Sequence, residues 1–133
     1  MTQETMVSDE FLDQLEESIY WHQEWFTRVM KNLLFRRHSD RDIFQPDAHE
    51  RCHLGAFLGN TPIPTRYEGA LEEINRLHRR MHEAARSALV AQEEGGQIDE
   101  EQFDELEEIR SLFFTTLHGL FRAATQDREA ARD

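Results

Sequence analysis

Three histidines stand where a helical core would ordinarily carry apolar side chains. His22 follows Phe11, Leu15 and Ile19 and precedes Phe26, Val29 and Leu33 at steps of three and four residues, the spacing of one helix face. His78 and His82 fall in the same way between Leu71, Ile74 and the later pair Ala85 and Leu89. A buried imidazole with an unmade hydrogen bond costs about 1–3 kcal/mol, and while a backbone carbonyl can satisfy one such ring, three in one core ask for another explanation. The i, i+4 spacing of His78 and His82 brings both rings within reach of a single ion. Cys52 is the only cysteine, so no disulfide closes within the chain and its chemistry is that of a lone thiol. Three imidazoles and one thiolate make a closed tetrahedral set that suits zinc, with Zn–N near ~2.0–2.1 Å and Zn–S near ~2.3 Å.

Taken singly, each of these residues has a plainer role, as a satisfied core histidine or a small buried thiol. Their shared depth argues for ligands. The first long helix spans roughly 9–38 and the central one roughly 65–94, so His22 and the His78/His82 pair sit near the midpoints of two helices of equal length. Midpoints of packed helices meet whichever way the helices run, which at ~1.5 Å per residue places the three rings within about one turn of the same level. The remaining histidines lack this support. His38 and His49 fall at helix ends, His53 lies one helical step from Cys52, and His118 is off its stripe, so these read as surface or helix-end residues.

The elements that must position the ligands are legible from their ends. Ser8 can cap the first helix, with Asp9 and Glu10 at its positive end and Arg36, Arg37 and His38 at its negative end. Asp47 and Glu50 resemble a capping pair for a short helix through about Leu58 that carries Cys52 and is stopped by Gly59, Asn60, Pro62 and Pro64. Thr65 and Glu68 form a capping box for the central helix, which Gly95 and Gly96 end. Asp99 and Gln102 open a third long helix lined by Phe103, Leu106, Ile109 or Arg110, Phe113, Leu117, Leu120 and Ala124, with the stripe fading from Thr125. The expectation is an all-α, antiparallel four-helix bundle of three long helices and one short one, forming a single domain over 1–133 whose ends, 1–7 and 125–133, are frayed or linker-like.

With 133 residues the chain suits one domain with a real core. A net charge of −12 opposes phosphate backbones and anionic lipid, which argues against nucleic-acid and membrane-surface roles. No signal peptide or run of about 18 apolar residues is present, so the expected compartment is the cytoplasm. Trp21 and Trp25 fall beside the main stripe, and more apolar surface than one bundle covers predicts a homodimer.

The blocks His22-Gln23-Glu24-Trp25, Arg51-Cys52-His53-Leu54-Gly55-Ala56-Phe57-Leu58 and Leu77-His78 followed by His82 resemble the His, Cys-x-x-Gly-x-aromatic and His-x-x-x-His blocks of the chemoreceptor zinc-binding (CZB) domain. Order and spacing agree over nearly the whole chain. Phe57 departs from the tryptophan usual there, at a packing position. The resemblance implies that His22, Cys52, His78 and His82 are zinc ligands. It also implies a bacterial four-helix bundle that often pairs as a homodimer, fused to chemoreceptors or diguanylate cyclases whose output changes with zinc or oxidants.

Rival chemistries fit less well. Glu50-x-x-His53 matches half of a di-iron carboxylate motif, but the second Glu-x-x-His and the inward glutamates are missing. A zinc hydrolase needs an open position and a nearby base, and Arg79, Arg80 and Met81 follow His78 where His-Glu-x-x-His would place one. An enzyme is therefore not expected. The strongest competitor to a sensor is a zinc-stabilised bundle with no signalling role.

Overall fold

A serine before two acids and a 3.6-residue apolar stripe start the first helix where the sequence places it. The computed structural model describes residues 7–35, 63–95 and 99–132, with side chains through 130. Helix α1 runs Asp9–Phe35. The amide of Phe11 donates to Ser8 Oγ at 3.0 Å and that of Leu12 to the Ser8 carbonyl at 3.2 Å, so the serine caps as expected. A 3-10 turn, Thr65–Tyr67, leads into α2, Glu68–Gly95, and α3 spans Glu100–Arg132. Among the described residues all regular structure is helical. The short helix expected to carry Cys52, the basic residues Arg36, Arg37 and His38, and Gly96 lie outside the described residues.

Two helix starts differ in detail from the sequence expectation. The turn assigned to the central helix by Thr65 and Glu68 is 3-10, held by Tyr67 N donating to the Pro64 carbonyl at 2.9 Å, because the proline fixes its own φ and sets a tight entrance. At α3, Asp99 Oδ1 accepts from the Glu101 amide at 3.1 Å, while Gln102 Oε1 is buried with no hydrogen-bond partner. One arm of the expected capping pair therefore forms without the reciprocal one.

Helix directions follow from who meets whom. Phe11 stacks on Tyr67 at 5.8 Å, His22 meets His78 at 4.8 Å, and the Gln92 amide donates to the Leu33 carbonyl. Position rises together along α1 and α2 in these pairs, so the two run parallel. α3 runs the other way: Phe113 lies against His22, and near its end Asp127 accepts from the Tyr67 hydroxyl while Arg128 Nε reaches Asp9 Oδ1 at 3.1 Å.

The core between the helices is continuous, from Phe11, Leu15 and Val29 on α1 through Ile74, Met81 and Leu89 on α2 to Leu106, Phe113 and Leu117 on α3. At ~25 cal/mol per Å² this burial is the main stabilising term. α3 continues as helix through the polar segment after Thr125, where Asp127 also pairs with Arg66 at 3.4 Å. Asp127 and Arg128 thereby tie the end of α3 to the starts of α1 and α2.

Tyr67 offers a test of this knot. Burial raises its pKa above 10.0, and the bond to Asp127 raises it further. The unfolded chain ionises first as pH climbs, so the stability this tyrosine contributes is fully present below about pH 10 and is lost as pH rises through the raised value. Tyr67→Phe is expected to lower stability by about 1 kcal/mol at neutral pH, measured by urea unfolding. The gap between the two proteins should shrink above pH 10. A gap constant into that range would remove the hydroxyl from the account.

Candidate metal centre

α1 delivers His22 to the bundle interior from its midpoint, and α2 delivers His78 and His82 from successive turns. All three are buried, at 1%, 0% and 5% exposure respectively. Ring centroids lie 4.8 Å apart for His22 and His78, 4.6 Å for His78 and His82, and 6.1 Å for His22 and His82. One ligating nitrogen from each can be chosen so that all lie within 4.8 Å of one another, which among the described residues marks this trio as able to hold a metal ion.

The His22 ring is held in a defined tautomer. Its Nδ1 lies 2.8 Å from the Ser18 carbonyl, one turn back. A carbonyl only accepts, so Nδ1 carries the proton and the lone pair sits on Nε2. This arrangement orients a metal-ligating imidazole through its second nitrogen. Ser18 is itself buried and its hydroxyl donates to the Gln14 carbonyl at 2.8 Å, which explains how a serine is tolerated on the apolar face.

Among the described residues two aromatic rings enclose the trio. Phe113 of α3, fully buried, lies 5.1 Å from His22 and 5.8 Å from His78. Trp25 of α1, half-buried, lies 4.3 Å from His82 and 6.4 Å from His22. The tryptophan placed beside the stripe by sequence therefore packs onto the site, while Trp21 is exposed at 48%. α3 provides enclosure from Phe113 and no member of the trio.

A sequence model of the chemoreceptor zinc-binding domain matches residues 22–89, just over half of the chain. The chain belongs to the CZB domain family. The matched span opens at His22 and contains Cys52, His78 and His82. The fold of the chain is similar to that of the solved regulatory CZB domain of DgcZ, with a TM-score of 0.75 at 19% identity, covering 88% of this chain and 98% of that one. No curated protein matches the chain in sequence. By its description the family is a zinc-binding one, and the DgcZ domain is a regulatory one.

Of the four residues singled out by sequence, the structure brings His22, His78 and His82 together, and Cys52 lies outside the described residues. So do His38, His49, Glu50, His53 and Phe57. His118 is exposed on α3, its ring 6.3 Å from Phe114 and apart from the trio. Ser18 and Phe113 were not legible as site residues. Ser18 was silent because serine on a stripe reads as a flaw in it, and Phe113 because an inward phenylalanine reads as ordinary core.

Proposed function

We propose that this CZB domain binds one zinc ion through His22, Cys52, His78 and His82 and uses it to regulate a bacterial signalling output in response to zinc availability or oxidants. The observation that carries the reading is the buried histidine trio, with ligating atoms within 4.8 Å of one another. Tetrahedral zinc at Zn–N near ~2.0–2.1 Å sets its nitrogens about 3.4 Å apart, so the rings need only close by small rotations. The donor set fits: neutral imidazoles, one with its lone pair directed by Ser18, and a soft thiolate. Bound zinc would supply a cross-link between α1 and α2 and hold the Cys52 sulfur as thiolate.

Chain reach supports Cys52 as the fourth ligand. His78 stands ~22 Å along the helix direction from Ile63. Cys52 precedes Ile63 by eleven residues, which extend to about 36–40 Å at most. The domain is read as cytoplasmic and attached to, or acting on, a chemoreceptor or diguanylate cyclase. No described helix is long and apolar enough to cross a membrane. Tyr20, Trp21, Leu34, Phe35 and Leu112 are exposed, between 48% and 70%, and a second copy of the domain is the reading that would cover them.

Elemental analysis of purified protein is expected to find one zinc per chain. Because zinc binds the folded state, ~100-fold excess over Kd adds about 2.7 kcal/mol. For a domain of this size that raises the melting temperature by on the order of 10 °C over chelator-treated protein. Two irons per chain, or no metal and no chelator effect, would overturn the reading.

A further inference from the structure

We infer that Trp25 is a positioning residue that closes the metal centre over His82, and that its aromatic ring sets how fast a metal ion leaves the site. The inference rests on the zinc reading above and adds a residue outside the ligand set. It comes from an asymmetry in how the trio is enclosed. On the α3 side Phe113 is 0% exposed and lies against both His22 and His78. That ring is locked among close-packed neighbours and cannot swing without opening the core. On the other side the ring over His82 is Trp25, at 4.3 Å and an interplanar angle of 38°, and it is half-buried.

His82 is also the most exposed of the three histidines, at 5% against 1% and 0%. Partly exposed side chains change rotamer far faster than enclosed ones. Of the two described rings that enclose the trio, Trp25 is therefore the one that can move aside while the bundle stays packed. Trp25 follows His22 by three residues, so one turn of α1 carries both a ligand and the cover for the ligand opposite.

The test is the rate of zinc release from the loaded full chain into an excess of a chromogenic chelator. W25A is expected to release zinc about 10–100-fold faster, the loss of affinity typical when a group supporting a metal site is removed being carried here by the release rate. W25F, which keeps a ring, should stay within about threefold of the parent, and W21A, at an exposed position, should match it. Cobalt(II) in place of zinc should give the same tetrahedral absorption band in W25A as in the parent, because the ligands are unchanged. Zinc should alter the emission of W21F, in which Trp25 alone emits, and leave that of W25F unaltered. W25L, which keeps apolar bulk without an aromatic ring, carries the same expectation of fast release should W25A not fold.

Unchanged release from W25A or W25L overturns the inference, as does equal acceleration in W21A or a changed cobalt band. A parent protein that holds no zinc sinks the metal reading itself, and the inference with it. Bound zinc that leaves W25A at the parent rate sinks only the inference.

Discussion

His78→Ala and His82→Ala are each expected to weaken zinc binding by about 100–1000-fold, whereas His118→Ala leaves it unchanged. The magnitude follows from dividing the ~10–16 kcal/mol typical of structural zinc sites among four ligands, which gives ~2.5–4 kcal/mol for each. His78 and His82 are buried side by side with ring centroids 4.6 Å apart, so solvent has little room to supply a substitute ligand. His118 is exposed and apart from the trio, near Phe114. Competition titration against a chelator of known affinity reads the difference directly. Equal effects at His82 and His118 would mean that the ion sits elsewhere. Melting of the metal-free variants separates lost ligation from lost packing, since an alanine at either position also leaves a cavity in the core.

The part of this arrangement that could be read in the sequence is the part set by local periodicity. His22 falls on the stripe of Phe11, Leu15 and Ile19, and all four are buried. Equal helix lengths placed His22 level with His78 and His82, and their rings meet. What escaped the reading depends on contacts between residues far apart in the chain. The polar run after Thr125 looked like a fraying end because neither the bond from Tyr67 to Asp127, across 60 positions, nor that from Arg128 to Asp9, across 119, leaves a local signal. Trp25 looked like surplus apolar surface because its partner, His82, is on another helix. Gln92 escaped for the same reason: its amide reaches the Leu33 carbonyl 59 residues earlier and helps set α1 and α2 in parallel register.

The enclosure bears on what kind of change the centre can transmit. In the proposed zinc form, removing the ion would leave three imidazoles in a site bounded by a fixed phenylalanine, with α2 and α3 joined by the apolar core from Ile74 to Leu117. Loss of metal therefore does not dissolve the bundle in this account. Its effect falls on whatever the ion joins to α1 and α2, and in the proposed ligand set that is the chain segment bearing Cys52.

Oxidant is accordingly expected to release zinc from the native protein and not from a Cys52→Asp variant. Cys52 is the only cysteine and, in the proposed set, the only ligand that mild peroxide oxidises. Coordination keeps its sulfur as thiolate, the reactive form, and conversion to sulfenic acid weakens the bond to the metal. Three imidazoles alone hold zinc less tightly, by the same ~2.5–4 kcal/mol share that one ligand carries. A carboxylate at position 52 can ligate zinc but has no sulfur to oxidise, so Cys52→Asp should retain the metal, with lower affinity, and ignore peroxide. Released zinc is read with a chromogenic indicator, and hydrogen exchange locates the consequence. Because the metal bond is the link this proposal gives Cys52 to the histidines, amides near 47–60 should gain exchange first, before those of α1, α2 and α3. A Cys52→Asp protein that still lost zinc to peroxide, or a rise in exchange spread evenly over the three long helices, would make the centre a structural staple. The sensor role would then be withdrawn while the zinc site itself remained.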